Sequence, residues 1–195
     1  MSVYQSTGKK MKTRHPCYIV AELPEPIRSE VQAIRDDFAS ITATLPVEIT
    51  LAGSSGLGPI PAGTDLSLII AQVDAVFSAV CPFKVAFSRI ASFPNTSIVY
   101  LTPLERTRFD ELHELLRHSE IPFSPSRFPY NPHCTLRAGS VLPPEEVDQL
   151  THHAFPNAPF LIDTISVYDL DSTLVRCNLL HQTSLNAKQD AAANA

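Results

Sequence analysis

The sequence predicts an α+β protein made of two lobes related by a pseudo-twofold repeat. Extended apolar segments alternate with amphipathic segments whose apolar residues recur at helical spacing. Extended segments also fold back on themselves at turn residues, as at Phe93-Pro94-Asn95. Most tellingly, Glu48-Ile49-Thr50-Leu51 in the first half is echoed by His133-Cys134-Thr135-Leu136 in the second. The echo extends to Ala52-Gly53 and, after one extra residue, Ala138-Gly139.

The chain has 195 residues, 44% apolar and 18% charged, enough for one domain or two small lobes sharing a core. No apolar run reaches the ~18 residues of a membrane span. The first fifteen residues carry Lys9, Lys10, Lys12 and Arg14 without an apolar stretch behind them, so a cytoplasmic rather than secreted chain is expected. The four cysteines (Cys17, Cys81, Cys134 and Cys177) lie far apart, three in segments read as strands. Reduced thiols are expected, with no disulfide framework and no metal site. A net charge of −5 argues against a broad basic surface for duplex DNA, yet leaves room for a small local anion site.

Residues 1–16 read as a flexible N-terminal tail, 17–183 as a single bilobal domain, and 184–195 as a flexible C-terminal tail without apolar pattern. Residues 17–23 form an apolar strand. Pro24-Glu25-Pro26 suits a helix's first turn, and Ile27, Val31, Ile34, Phe38 and Ile41 then share one face. A strand over 46–51 runs into the loop Ala52-Gly53-Ser54-Ser55-Gly56-Leu57-Gly58-Pro59, either an anion-binding nest or a tight connection to the next helix. Residues 66–80 form a buried helix capped by Thr64 or Asp65. Residues 83–92 and 96–101 pair as a hairpin. Thr102-Pro103-Leu104-Glu105 has the form of a capping box, opening a helix that buries Leu104, Phe109, Leu112, Leu115 and Leu116 and leaves His113 and His118 in solvent. Pro122, Pro125, Pro129 and Pro132 stiffen the loop before the strand at 133–136. A short helix from Pro143-Pro144 to about 153 and a closing hairpin, 160–169 with 173–181, complete the domain.

The chemistry lies on the two echoed strands. Side chains alternate across a strand, so His133 and Thr135 share one face while Cys134 and Leu136 point to the core. The same argument puts Glu48 beside Thr50. Taken alone, His133 could simply begin an edge strand, with Thr135 there for its β-propensity. Facing each other across one groove, two hydroxyls and two ionisable groups suit a phosphate: hydroxyls hold its oxygens and the ionisable groups move a proton.

Here the sequence resembles the two-histidine (2H) phosphoesterases, which include bacterial 2′–5′ RNA ligases and cyclic phosphodiesterases. A proline leading into His133-Cys134-Thr135-Leu136, echoed by Pro46-Val47 leading into Glu48-Ile49-Thr50-Leu51, carries the likeness to that family's paired His-x-Thr motifs. The segments beginning Tyr18-Ile19-Val20-Ala21-Glu22 and Phe87-Ser88-Arg89-Ile90 resemble that family's opening strand and central hairpin, so the likeness spans about residues 17 to 181. It implies a bilobal α+β fold, two antiparallel sheets flanking a central groove with helices outside, and no cofactor or metal. It also implies action on a 2′,3′-cyclic phosphate, a 2′–5′ linkage or an RNA end, by a monomer with no membrane partner. His133, Thr135 and Thr50 match the family's catalytic pattern. Glu48 stands where the first histidine belongs. Arg137, just past the second motif, and Tyr130, just before it, are the expected substrate contacts.

A carboxylate about 4 Å from a phosphodiester meets roughly 4 kcal/mol of repulsion at an effective dielectric near 20. Glu48 could escape it by staying protonated and serving as the acid, or by pairing with His133. Otherwise the chain is a non-catalytic nucleotide or RNA-end binder. Arg137 and Arg127 are candidates to offset the charge, and His15 is a candidate stand-in for the missing histidine.

Overall fold

The computed structural model of the chain describes residues 11–38 and 43–186. Residues 1–10 and 187–195, which hold most of both expected tails, and Ile41 of the first expected helical face lie outside the described residues. Along the chain the elements are β1 (Cys17–Glu22), α1 (Ile27–Asp37), β2 (Glu48–Ala52), α2 (Leu66–Phe77), β3 (Phe83–Val85), β4 (Phe87–Ser92) and β5 (Val99–Pro103). They continue with α3 (Thr107–Arg117), β6 (Cys134–Arg137), α4 (Pro144–Thr151), β7 (Phe160–Ile162), β8 (Thr164–Asp171) and β9 (Arg176–Ser184).

Every described strand pairing is antiparallel. One sheet has the order β2-β1-β8-β9, a second the order β4-β5-β6, and β3 pairs with β7. Because β3 and β4 are parted only by Ala86, the β3–β7 ladder prolongs the second sheet past a break. That break is held by Leu104, whose amide donates to the Ala86 carbonyl at 2.8 Å. The repeat is thus a strand-helix-strand unit: β1-α1-β2 in one lobe, β5-α3-β6 in the other. In each unit the closing strand is a sheet edge and carries a motif. These two edges, β2 and β6, pack against each other where the sheets meet.

Apolar alternation explains the core. Ile19, Ala21, Ile49 and Leu51 are buried together behind the first sheet, and Leu101, Cys134 and Leu136 behind the second. Ile27, Val31 and Ile34 of α1 are buried at helical spacing, as are Phe109, Leu112 and Leu116 of α3. Asp65 caps α2 by accepting from the Ser67 amide at 3.0 Å.

Several expected details are corrected. Thr102 and Pro103 do not open a helix; they continue β5, where Pro103 pairs with Phe87 and Thr102 with Arg89. The helix starts at Thr107, and Leu104 and Leu115 are exposed. Sheet pairing has overridden a local capping signal here. His113, expected in solvent, is 3% exposed because its Nδ1 donates to the Leu51 carbonyl at 2.7 Å and its ring stacks on Tyr130 at 3.8 Å. Residues 11–16 dock rather than trail: Thr13 is buried and its amide donates to the Thr64 carbonyl at 2.9 Å. The strands expected at 83–92 and 160–169 each break in two, at Ala86 and Asp163. At the far end, Ser184 still belongs to β9 and Leu185 is buried.

Candidate active site

The first half of the site is built by β2. Thr50 donates its hydroxyl to both carboxyl oxygens of Glu48 at 3.1 Å, the short range expected of neighbours two residues apart on one face. Burial pushes the Glu48 carboxyl up to about 7. Arg35 and the Thr50 hydroxyl pull it down, and the negative charge of Glu22 adds to the rise. Glu22 is the register partner of Glu48 on β1. Burial raises the Glu22 carboxyl too, but donors outweigh it: Ser166 and Tyr168 at 2.6 Å, Gln182 at 3.1 Å, and Arg28 at 3.1 Å. Its affinity for a proton therefore falls below the ordinary value. Two carboxyls side by side are driven in opposite directions, one ionised and one holding its proton toward neutrality.

The second half is built by the turn into β6. His133 is 8% exposed. Its Nδ1 lies 2.7 Å from the Asn131 carbonyl, an oxygen that can only accept, so Nδ1 carries the hydrogen and Nε2 the lone pair. Phe93 and Tyr100 present ring edges and faces to the imidazole at 5.1 and 5.0 Å between centroids. Burial in this aromatic setting lowers the His133 pKa, so the ring is neutral over a wider range than a free histidine. Tyr100 is the register partner of Thr135. Among the described residues the Thr135 hydroxyl has no hydrogen-bond partner, in contrast to Thr50.

The two halves are physically joined. Cys134 lies in the core between them, its sulfur hydrogen-bonded with the Glu48 main chain and its thiol pushed up to about 12 by burial. Arg35, 1% exposed, sends Nε to the Thr135 carbonyl at 2.9 Å and one terminal nitrogen to the carbonyls of Leu45 and Pro46 at 2.8 and 3.1 Å. Tyr130 donates its hydroxyl to the Thr50 carbonyl at 3.3 Å. The segments flanking the motifs are also zipped together. Gly56 donates to the Phe128 carbonyl at 2.8 Å and Gly58 to the Ser124 carbonyl at 3.1 Å. Gly56 has φ +64, and a Cβ there would collide with the His113 ring, so only glycine fits. Since these amides are engaged by carbonyls, they form a tight connection rather than an anion nest.

Other residues singled out in the sequence lie apart or are engaged elsewhere. Arg137 is on the His133 face of β6, but its guanidinium donates to Ser140, to the carbonyl at 3.0 Å and the hydroxyl at 3.4 Å. Arg127 is exposed on the proline-rich loop. His15, the candidate stand-in, lies 3.8 Å from Asp171 near the start of β1, at the far end of that strand from Glu48, and so does not reach the motif. A cavity of 470 Å³ is lined by Glu22, Arg28, Tyr168 and Cys177 among others, but not by the motif residues. The motif residues and that cavity are therefore separate features of the surface.

Sequence reasoning missed Arg35, Glu22, Asn131 and the Phe93–Tyr100 pair. One signal was present: Arg35 sits four residues after Val31, a charge on the apolar face of a helix. The partners of Glu22 come from β8 and β9, more than 140 residues away, and no local pattern announces them.

Residues 13–173 match the family model of the 2′-5′ RNA ligase superfamily. The chain belongs to that superfamily. Among curated proteins, none matches the chain in sequence. Its fold resembles TT0787 of Thermus thermophilus, with a TM-score of 0.63 at 18% identity, covering 89% of this chain and 100% of that one. It also resembles E. coli LigT in complex with 3′-AMP, with a TM-score of 0.60 at 18% identity over 88% and 98% of the two chains. LigT has further been captured with phosphate, again similar in fold at a TM-score of 0.57 and 14% identity over 88% and 98%. Membership in the 2′-5′ RNA ligase superfamily supports a phosphoesterase-like function for the chain. No helix of the described residues is long and apolar enough to cross a membrane.

Proposed function

We propose that this superfamily member is a phosphodiesterase that opens 2′,3′-cyclic phosphates or 2′–5′ linkages of nucleotides or RNA ends, with His133 as base and Glu48 as acid. One observation carries the reading: the site holds two proton carriers whose affinities are pushed toward each other, the imidazole downward and the carboxyl up to about 7. The lowered affinity of His133 favours the neutral ring with a lone pair on Nε2, while Glu48 keeps its proton up to about 7.

In this reading, water attacks phosphorus as Nε2 of His133 takes its proton. The bond from phosphorus to the 2′ or 3′ oxygen breaks, and that oxygen receives the proton held by Glu48. Thr135, whose hydroxyl is uncommitted, donates to a non-bridging oxygen. Thr50 acts through Glu48, orienting the carboxyl, and turns to the phosphate only if that bond opens. Neither group needs a metal or cofactor, and the substrate is the only partner the mechanism invokes.

The alternative is a nucleotide or RNA-end binding protein without turnover. It is favoured by the occupation of Thr50 by Glu48 in the site's first half. Incubation with 2′,3′-cyclic nucleotides and 2′,5′-linked dinucleotides separates the two. Turnover in the wild type that disappears in His133→Ala supports the enzyme. Saturable binding without product would overturn it in favour of the binder.

A further inference from the structure

A buried arginine on the apolar face of α1 belongs to neither motif, yet its contacts converge on both. Its Nε reaches the Thr135 carbonyl on β6 and one terminal nitrogen reaches the carbonyls of Leu45 and Pro46, the residues leading into β2. The two strands belong to different sheets and share no ladder. The gap between them is fixed by side-chain packing, by the hydrogen bonds of Cys134 and Tyr130 to β2, and by this guanidinium, which alone among these reaches both Thr135 and the residues entering β2.

We propose that Arg35 is the positioning residue of the site, bracing the strand of Thr135 against the chain entering the strand of Glu48 and Thr50, and supplying the positive charge that faces Glu48. The inference rests on the proposed function, since it assumes that Glu48 and Thr135 serve one substrate. Several features of the guanidinium suit the task. Its donors lie in a rigid planar fork, so one group can hold carbonyls on two sides at fixed separation. A buried cation is tolerated where hydrogen bonds compensate it, and here the carbonyls of Thr135, Leu45 and Pro46 supply them, joined by the charge of Glu48 once it loses its proton above about 7.

Glu48 is faced by other groups too. Glu22 from β1 raises its proton affinity, and Thr50 on its own strand lowers it. Cys134 from β6, Cys177 from β9 and Tyr130 from the proline-rich loop also sense its charge. Burial holds all three of those groups above their ordinary values, hence neutral near pH 7. Arg35 is therefore the positive charge that opposes both the burial of Glu48 and the negative charge of Glu22. It couples geometry to acidity: a group that helps to hold the gap also lowers the pH at which the acid loses its proton.

Two variants and one wild-type measurement test this. Arg35→Met keeps length and removes the charge. The Glu48 titration, followed by the carboxyl carbon resonance, should move to higher pH and carry the alkaline limb of the rate profile with it. His133, which Arg35 does not touch, should titrate as before. Arg35→Lys keeps the charge but not the fork. Glu48 should then titrate near its wild-type midpoint while turnover of 2′,3′-cyclic nucleotide falls by ~10²-fold, the scale of a misplacement near 1 Å. In the wild type, the Arg35 Nε–H resonance should shift with the same midpoint as the Glu48 carboxyl, a measurement that needs no variant to fold. An Arg35 resonance indifferent to Glu48, or an Arg35→Met protein with unchanged midpoint and rate, overturns the inference. A protein that hydrolyses nothing but whose Glu48 midpoint moves in Arg35→Met removes the proposed reaction and leaves the role of Arg35 standing.

Discussion

The two motif strands occupy equivalent places in their lobes but have diverged in opposite senses. On β6, His133 is held by one carbonyl and two aromatic rings, and the Thr135 hydroxyl is left open. On β2, the ionisable group is closed on itself, with Thr50 donating to both oxygens of Glu48 and Arg35 and Glu22 pulling its charge in contrary directions. One half therefore offers an uncommitted hydroxyl, and the other has its hydroxyl tied to its own carboxyl. Burial acts in both, but because it disfavours whichever form is charged, it lowers the imidazole and raises the carboxyl. A buried imidazole and a buried carboxyl are thus each held toward the neutral form, from opposite sides.

The largest effect is expected on the open side. His133→Ala removes the base and should lower turnover by ~10²–10⁴-fold. Cys134 and Leu136 keep the strand anchored in the core, so the fold should persist; hydrolysis of a 2′,3′-cyclic nucleotide, alongside circular dichroism, reads both. A variant retaining wild-type turnover would place the base elsewhere and remove the asymmetry just described.

On the closed side, Glu48→Gln keeps shape but cannot exchange a proton. Turnover should collapse, and the alkaline limb near pH 7 should vanish from the pH–rate profile. Stability should respond in the opposite direction. The folded Glu48 titrates near 7 against 4.5 in the unfolded chain, so its favourable contribution is complete below about 4.5 and is lost as the pH rises through 7. The shift corresponds to about 3 kcal/mol at 1.36 kcal/mol per pH unit. Glu48→Gln should accordingly gain stability on that scale relative to wild type at pH 8.5 and gain little at pH 4; urea melts at the two values check this. Glu48→His restores a second imidazole and should raise turnover if the gap between the strands is intact. Should Glu48→Gln leave the rate untouched, the binding-protein reading prevails.

The two threonines sharpen the contrast. Thr135→Val deletes a free donor and should weaken inorganic phosphate or sulfate binding by about tenfold, the loss of one hydrogen bond to a charged group. Thr50→Val should act on the proton instead, raising the Glu48 titration because a donor that lowered it is gone. Titration with sulfate, followed by the His133 ring resonances, separates these outcomes. Equal losses of sulfate affinity in both variants would mean that Thr50 already faces the ligand.

Which parts of this were legible in the sequence follows from the range of each interaction. The lobes, the repeat and the faces of Glu48, Thr50, His133 and Thr135 depend on alternation over four residues, and alternation is written locally. The start of α3 was misread because Thr102 and Pro103 carry a capping pattern that pairing with β4 overrides. His113 was misread because its partners, Leu51 and Tyr130, lie on segments brought in only by the fold. Arg35 is intermediate: its anomalous place on an apolar face is visible, but the Thr135 carbonyl it meets is 100 residues away.

The smallest effect expected concerns Tyr130, which the sequence suggests as a substrate contact. Its ring lies nearly parallel to His113 at 3.8 Å, and its hydroxyl donates to a main-chain carbonyl, that of Thr50, at 3.3 Å. Burial pushes the phenol's pKa up, so it stays neutral throughout the working range and contributes no proton to the reaction. Tyr130→Phe keeps the stack and loses only a long hydrogen bond, which should cost about 0.5–1.5 kcal/mol of stability. For a chain of this size that is a fall in Tm of roughly 1–6 °C, at about 2–4 °C per kcal/mol. Turnover and KM for a 2′,3′-cyclic nucleotide should stay within about twofold, because the strand carrying Thr50 is also paired to β1 and braced near Pro46. A tenfold rise in KM with unchanged kcat would instead show the phenol reaching the substrate. The closed half of the site would then bind ligand through Tyr130 where the open half uses Thr135.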